Sequence, residues 1–307
     1  MQRVCYLFPG QGAQYVGMGK DLYDNYPEAR AIFEEAEKIL PDIGIKRLCF
    51  EGPIEELTQT LNSQVCILVM SIAAFQVLDS RIRPKKSFQP ICCAGLSLGE
   101  LTALVCAGSL SFKDGVRLVR RRGELMEEAS LKNPGIMASI IGLSIQELRP
   151  ICDESGAEIA NLNCPGQIVI SGKRDCVEKA ISISLERGAK RAIPLNVSGA
   201  FHSSLMKEIA ESFRLELERI SFLKPMIKVV SNVTGDYEDA SEIKDNLVKQ
   251  LYSSVLWEDS IKRISGDGID TFFEIGPGRV LKGLLRRIDE NLKVFNIDTI
   301  KDIESLL

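Results

Sequence analysis

One serine in this sequence stands where a nucleophile would be expected. Ser97 is the centre of a Gly-Leu-Ser-Leu-Gly segment at residues 95–99, between a short apolar run and a stretch of small apolar residues. A strand, a Gly-x-Ser-x-Gly turn and a helix form a nucleophile elbow, in which the serine Oγ is exposed at the tip of a tight turn. The same residue types also occur in ordinary loops, so the rest of the chain must decide between the two.

His202 is the single histidine of the chain, so a serine mechanism that needs an imidazole base must use it. It ends a Ser-Gly-Ala-Phe-His run at residues 198–202. A lone histidine beside an apolar residue can also be a packed core side chain. A metal or redox site is not expected, because the sequence has no Cys-x-x-Cys and several cysteines lie in apolar runs.

Two further polar residues stand where a site could use them. Gln11 lies in a glycine-rich turn after the first predicted strand, and the pattern of a phosphate loop is absent there. The turn therefore favours backbone N–H groups and Gln11 pointing into a site. Arg122 adjoins Gly123 on a charged helix predicted at residues 116–129. Most charges of that helix suit a solvated face with i,i+4 pairs, and Arg122 is the candidate for an inward position.

The elements that must position these residues alternate between strands and helices. This alternation indicates a mostly parallel sheet covered by helices on both faces. Catalytic groups in such folds gather at the carboxyl ends of the strands, which is where four turns are predicted: those at Gln11, Ser97, Asn232 and Gly276. Residues 134–197 instead follow the order β-α-β-β-α-β of a ferredoxin-like unit. We therefore expect a large α/β domain of residues 1–133 and 198–307 with a small inserted subdomain of residues 134–197.

The composition is that of an ordinary globular chain. Of 307 residues, 45% are hydrophobic and 26% are charged, and the net charge of −4 does not indicate nucleic-acid or membrane binding. No apolar run suggests a membrane span, and no signal-peptide pattern precedes the first strand. Nine cysteines without an obvious disulfide framework favour a reducing cytoplasm. No coiled coil or exposed apolar helix stands out, so we expect a monomer.

Taken together, the motifs resemble those of the malonyl-CoA:acyl carrier protein transacylases, over essentially the whole chain. The resemblance rests on Phe-Pro-Gly-Gln-Gly at 8–12, Gly-Leu-Ser-Leu-Gly-Glu at 95–100, Arg-Gly at 122–123, the run from Asn161 to Gly172, Ser-Gly-Ala-Phe-His at 198–202, Gln-Leu at 250–251, Trp257 and Glu-Ile-Gly-Pro-Gly at 274–278. The chain departs from the family in having Leu96 where a histidine is usual, and in Ser254 and Leu256. The family fold is a hydrolase-like α/β domain with a ferredoxin-like insert.

The resemblance implies transfer of malonyl groups from malonyl-CoA to acyl carrier protein for fatty acid biosynthesis, with no cofactor. It implies that Ser97 is the nucleophile and that His202 acts as base and then as acid, oriented by a backbone carbonyl near Gln250. Backbone N–H groups of Gln11 and Leu98 would hold the oxyanion. The remaining implied roles concern the substrate: Arg122 would pair with the malonyl carboxylate, Phe201 would exclude an α-branch, and Asn161 and Asn163 would line the mouth of the site or serve only as turn residues.

Two other classes of function stay open at this point. One is a hydrolase on the same scaffold that releases acyl groups to water, and the other is a non-catalytic subunit that only docks carrier protein. An acidic carrier protein also requires a basic surface near the site. The candidates are basic residues of the insert, or a segment with Arg81, Arg83, Lys85 and Lys86.

Overall fold

The computed structural model describes residues 2–86 and 88–306. Its strands form two sheets of opposite character, one parallel and one antiparallel. The strands are β1 (Gln2–Phe8), β2 (Phe88–Gly95), β3 (Ile136–Ile141), β4 (Glu158–Cys164), β5 (Gln167–Gly172), β6 (Arg191–Pro194), β7 (Lys228–Val229), β8 (Thr271–Ile275) and β9 (Lys293–Ile297).

Helices connect these strands. They are α1 (Lys20–Asn25), α2 (Pro27–Ile39), α3 (Ile45–Phe50), α4 (Ile54–Thr58), α5 (Thr60–Val77), α6 (Leu98–Cys106), α7 (Phe112–Lys132), α8 (Ile145–Ser155), α9 (Arg174–Glu186), α10 (Ala210–Glu218), α11 (Ile243–Gln250), α12 (Trp257–Gly266), α13 (Val280–Ile288) and α14 (Ile300–Glu304). A π-helical turn (Leu78–Ile82) extends α5, and a 3-10 helix (Ser204–Ile209) precedes α10.

The larger sheet has the order β7-β2-β1-β8-β9, and all its strands are parallel. Its central strand β1 alternates between two cores, with Tyr6 and Phe8 in one apolar cluster and Cys5 and Leu7 in the other. Both faces of the sheet are therefore covered, as predicted for parallel strands. Phe8 pairs with Gly95 of β2, so the carboxyl ends of these strands lie at one edge of the sheet.

The smaller sheet has the order β4-β5-β3-β6 and is antiparallel. Helices α8 and α9 pack on one face around Ala138 and Ile140. The other face sends Met137 and Val169 into the main core cluster, so the two sheets share a packed boundary. The predicted α/β class with a ferredoxin-like insert is confirmed, while the residue-level domain boundaries stay a prediction.

Helix α5, with its π-helical extension, lies in the centre of the main core. By length and composition Thr60–Ile82 is apolar enough to cross a membrane, although no apolar run was expected to span one. However, 83% of its most apolar window is buried inside the protein, as in a core helix. Burial on nearly all sides explains why most of its residues are apolar.

Helix α13 is held by a buried carboxyl. Glu274 at the end of β8 accepts hydrogen bonds from the backbone N–H groups of Leu281 (2.8 Å) and Lys282 (2.9 Å), which have no partner inside the helix. Burial raises the pKa of Glu274 to about 7. This cap fixes the first turn of α13 beside the carboxyl ends of β1 and β8.

The segment with four basic residues lies far from Ser97. It precedes the amino end of β2, whereas Ser97 follows the carboxyl end, roughly 25 Å of strand away. Arg81 also pairs with Glu28 (2.7 Å) and Arg83 with Asp79 (2.7 Å). Strand direction places this segment at the opposite end of the sheet from Ser97, which does not favour it as the docking surface; the docking surface stays a prediction.

Candidate active site

Ser97 lies in the sharp turn between β2 and α6, with φ of 54°. The turn leaves no room for side chains at the neighbouring glycines. A Cβ on Gly95 would lie 1.9 Å from the carbonyl carbon of Gly99, and one on Gly99 would lie 2.1 Å from the carbonyl oxygen of Phe8. The two glycines of the motif are therefore required by backbone packing, and they place Ser97 at the amino end of α6.

His202 is in direct contact with this serine. Its Nε2 lies 2.8 Å from the Oγ of Ser97, and its Nδ1 lies 2.7 Å from the backbone carbonyl oxygen of Gln250. Because a carbonyl only accepts, Nδ1 carries the proton and donates, which leaves the Nε2 lone pair facing the serine hydroxyl. Burial, and then the charge of Arg122, lower the pKa of His202 to about 4. The imidazole is neutral at physiological pH and able to accept a proton.

The lowered pKa of His202 predicts that the acylation of Ser97 keeps its rate at lower pH than an ordinary histidine base would allow. We expect kcat/KM for thiol release from an acyl thioester to stay level from pH 7 to about 5 and to fall only near pH 4. Stopped-flow detection of the released thiol between pH 3.5 and 8 measures this. A midpoint near the ordinary histidine value of about 6.5 would contradict it.

Protein stability is the necessary control for that profile. A histidine whose folded pKa is lowered adds stability above its unfolded pKa of about 6.5, and that contribution is lost as the pH falls toward 4. Circular dichroism at each pH therefore has to show folded protein before the loss of rate is assigned to His202.

Arg122 is a buried cation beside the serine. Its side chain is 1% exposed, whereas Arg120 and Arg121 pair with Glu124 at the surface. Its Nη2 donates to the Oγ of Ser97 (3.1 Å) and to Oε1 of Gln250 (2.9 Å), and its Nη1 donates to Oε1 of Gln64 (2.6 Å). Burial lowers the pKa of Arg122 to about 10, so it remains charged at neutral pH.

Within residues 2–86 and 88–306, no carboxylate forms an ion pair with Arg122. Glu100, which is also buried, is the acid that acts on the pKa of Arg122. Burial, followed by the charge of Glu238, raises the pKa of Glu100 to about 8, so most of it is uncharged at pH 7. A buried cation held by neutral partners is suited to an anionic group brought by a ligand.

Gln250 connects the residues of this site. Its backbone oxygen holds His202, its Oε1 accepts from Arg122, and its Nε2 donates to the backbone oxygen of Ser97 (3.1 Å) and to Oε2 of Glu100 (2.7 Å). Because the backbone oxygen of Ser97 only accepts, the amide nitrogen of Gln250 must face it, and the amide oxygen then faces the guanidinium. The orientation of Gln250 is thereby fixed.

A cavity of about 230 Å³ opens above these groups, between the two sheets. Most of the residues that the sequence singled out line it: Gln11, Ser97, Leu98, Arg122, Asn161, Asn163, Phe201 and His202. Gln250 is not among the lining residues and supports the site from beneath. The side chain of Gln11 donates to Thr60 (3.2 Å), and Leu98 begins α6, where backbone N–H groups have no partner in the helix.

Three site residues were not identified from the sequence. Gln64 holds Arg122, Glu100 holds Gln250, and Asn232 accepts from the backbone N–H of Ser97 (2.6 Å) while donating to the carbonyl of Gly95 (2.7 Å). One feature of the sequence could have identified Gln64: it is a polar residue at the start of an otherwise apolar run. The sequence placed Asn232 at the carboxyl ends of the strands, but only as part of a turn and not as a site residue.

The arrangement can form an acyl ester on a serine. A serine at a strand-to-helix turn, hydrogen-bonded to a neutral buried histidine, is the means by which α/β enzymes attack activated carbonyl groups. The fold and the geometry of this site are those expected of an acyl-transfer enzyme.

Comparisons with known proteins agree with that class. The family model for the acyl transferase domain matches residues 5–299. The malonyl CoA-acyl carrier protein transacylase of Bacillus subtilis (strain 168) is 45% identical over 99% of this chain and 96% of its own. This chain therefore belongs to the malonyl CoA-acyl carrier protein transacylase family.

Solved structures show the same relationship. The crystal structure of the transacylase from Clostridium perfringens superposes with a TM-score of 0.92 at 38% identity, covering 99% of this chain and 95% of that one. A malonyl-transacylase in complex with a type II PKS acyl-carrier protein superposes with a TM-score of 0.94 at 38% identity, covering 100% of this chain and 99% of that one.

Proposed function

We propose that this chain transfers malonyl groups from malonyl-CoA to the phosphopantetheine thiol of acyl carrier protein, through a malonyl ester on Ser97. The observation that carries the proposal is the buried guanidinium of Arg122, 3.1 Å from the Oγ of Ser97 and held by neutral amides. A malonyl thioester differs from an acetyl thioester by one carboxylate, which this cation can bind through two N–H groups. The relatives named above support the same substrate pair.

In the first half of the reaction, the Oγ of Ser97 attacks the thioester carbonyl while its proton passes to Nε2 of His202. Backbone N–H groups of Leu98 and Gln11 stabilise the resulting oxyanion. The carbon–sulfur bond then breaks, and the departing CoA thiolate takes the proton from His202. The malonyl group remains as an ester on Ser97.

The second half reverses these roles. The pantetheine thiol of the carrier protein gives its proton to Nε2 of His202, and the thiolate attacks the ester. The carbon–oxygen bond to Ser97 breaks, and the serine recovers its proton from His202. Gln250 keeps Nδ1 protonated throughout, so a dyad without an acidic third member suffices for an activated thioester.

Selection of the acyl group follows from the walls of the cavity. Arg122 favours an acyl group with a free carboxylate, and Phe201, which is 5% exposed beside His202, crowds an α-branch. We further infer that the enzyme works as a monomer in the cytoplasm and supplies chain-extender units for fatty acid biosynthesis. The free thiols of all nine cysteines support a reducing compartment.

Intact-mass spectrometry tests the proposed function. Brief mixing with malonyl-CoA is expected to add the mass of one malonyl group to the protein. When holo carrier protein is then added, the enzyme should lose that mass and the carrier protein should gain it. The matched control is apo carrier protein, which lacks the pantetheine thiol and should gain nothing. Free malonate without a carrier adduct would instead indicate a hydrolase, and absence of both adduct and turnover would indicate a docking subunit.

A further inference from the structure

A buried carboxyl lies one contact away from the catalytic groups. Glu100 is the third residue of α6 and is only 1% exposed. Its Oε2 accepts a hydrogen bond from Nε2 of Gln250 (2.7 Å) and another from the backbone N–H of Asn232 (3.0 Å). These donors lie 150 and 132 positions away along the chain. Burying a carboxyl is costly, so two contacts with such distant elements call for an explanation.

The sequence around Glu100 suggests a local role that the structure does not show. Ser97 and Glu100 have the spacing of a capping box, in which each side chain binds the backbone N–H of the other residue. Among the described residues, however, the side chain of Ser97 makes no cap hydrogen bond, and its backbone N–H donates to Oδ1 of Asn232 (2.6 Å). The carboxyl of Glu100 therefore binds other elements rather than the end of its own helix.

The first partner of Glu100 supports the turn that carries the nucleophile. The side chain of Asn232 accepts from the backbone N–H of Ser97 and donates to the carbonyl oxygen of Gly95 (2.7 Å), at the end of β2. Glu100 holds the backbone N–H of the same asparagine. The carboxyl thus fixes the position from which Asn232 reaches the serine turn.

The second partner supports the base and the cation. The backbone oxygen of Gln250 accepts from Nδ1 of His202 (2.7 Å), and its Oε1 accepts from Nη2 of Arg122 (2.9 Å). The amide nitrogen of Gln250 has two anchors, Glu100 and the backbone oxygen of Ser97 (3.1 Å). Without Glu100, one anchor of this amide would be lost.

We propose that Glu100 is a positioning residue: one of its oxygen atoms holds the support of the nucleophile and the support of the base and cation in fixed relative positions. This inference rests on the proposed function and adds to it a residue that acts through Asn232 and Gln250. Because both contacts at Oε2 come from N–H groups, this oxygen accepts twice, and a proton on the carboxyl must lie on Oε1. Burial, followed by the charge of Glu238, raises the pKa of Glu100 to about 8. A neutral side chain of the same shape should therefore perform the same task.

Three substitutions test this role. Glu100→Gln keeps the length and an acceptor oxygen, Glu100→Asp keeps the carboxyl but shortens its reach, and Glu100→Ala removes both. In single-turnover acylation by malonyl-CoA, Glu100→Gln should stay within about threefold of the wild-type rate, whereas Glu100→Asp and Glu100→Ala should be roughly tenfold to a hundredfold slower, because small displacements of reacting groups are costly. The preference for malonyl-CoA over acetyl-CoA should fall with the rate, since Arg122 loses part of its support.

Thr102→Ala on the same helix is the matched control. Thr102 is fully buried, does not line the cavity, and has a hydroxyl without a partner in the part of the chain that the structure describes. This variant perturbs α6 without removing a contact with Asn232 or Gln250, so the acylation rate and the malonyl preference should remain those of the wild type. A wild-type rate for Glu100→Asp, or equal losses for Glu100→Gln and Glu100→Asp, would overturn the positioning role. If Glu100→Ala does not fold by circular dichroism, the other two variants decide.

A second readout separates this inference from the proposed function. A fluorophosphonate probe labels an activated serine without malonyl-CoA, so its labelling rate at Ser97 reports only the serine and its base. The same order of rates is expected, with Glu100→Gln near the wild type and Glu100→Asp slower. If the wild type is labelled at Ser97 but forms no malonyl ester, the proposed function fails, and the labelling rates still decide the role of Glu100. If the wild type reacts with neither reagent, both proposals fail.

Discussion

Replacing Ser97 by alanine is expected to abolish the malonyl adduct and to lower transfer by on the order of 10⁴-fold. The hydroxyl is the group that forms the covalent bond, and no other nucleophile lines the cavity next to His202 among the described residues. The residual rate would come only from binding and oxyanion stabilisation. Rapid quench with radiolabelled malonyl-CoA, followed by transfer to holo carrier protein, measures both the adduct and the rate.

This substitution should leave the fold intact. Ser97 has a positive φ in the tight turn between β2 and α6, and alanine meets the same backbone cost as serine there. Asn232 still binds the backbone N–H, because that contact does not involve the hydroxyl. The control is Ser182→Ala on the exposed face of α9, where the hydroxyl donates to Glu186 (3.2 Å) and is far from the cavity lining. An adduct that survives Ser97→Ala would show that another residue is the nucleophile, and peptide mapping would identify it.

Elements with strong local patterns could be predicted from the sequence. The elbow, the small sheet and the capped helix α7, where Ser111 accepts from the backbone N–H of Asp114, all follow from short-range signals. Helix α12 was not predicted; Leu256 at its start provides no side-chain cap. The strand before the predicted turn at Asn232 is short: β7 pairs with β2 at Lys228 and Val229, and the next residue, Val230, bridges Tyr237.

Some residues of the site could be predicted from the sequence, and others could not. Ser97 and Arg122 could be proposed from local patterns and from their neighbours in the sequence. The supporting contacts could not, because they join distant positions: Arg122 with Gln64 across 58 residues, and Gln250 with Glu100 across 150. Periodicity indicates which face of an element is buried, but it does not indicate which buried polar groups meet. Those pairings become visible only when the packing of helices α5, α6, α7 and α11 against one another is known.

The Arg122→Ala substitution is expected to remove the preference for malonyl over acetyl groups. Losing a charge-assisted, two-pronged contact with a carboxylate in a dry site should lower kcat/KM for malonyl-CoA by roughly 10² to 10³-fold. Acetyl-CoA makes no such contact, so its much lower kcat/KM should change by less than about tenfold. Competition between the two donors, with the acyl-enzyme resolved by mass, measures the ratio directly.

Two companion variants separate binding of the carboxylate from general damage to the site. Arg122→Lys keeps the charge but loses the fork, so part of the malonyl preference should remain. Arg121→Ala removes a neighbouring guanidinium that pairs only at the surface, and it should not change the ratio. Because the charge of Arg122 helps to lower the pKa of His202, Arg122→Ala should also move the acid limb of the pH profile upward. Equal losses for malonyl-CoA and acetyl-CoA at pH 7 would mean that Arg122 supports the geometry of Ser97 and Gln250 and does not select the substrate.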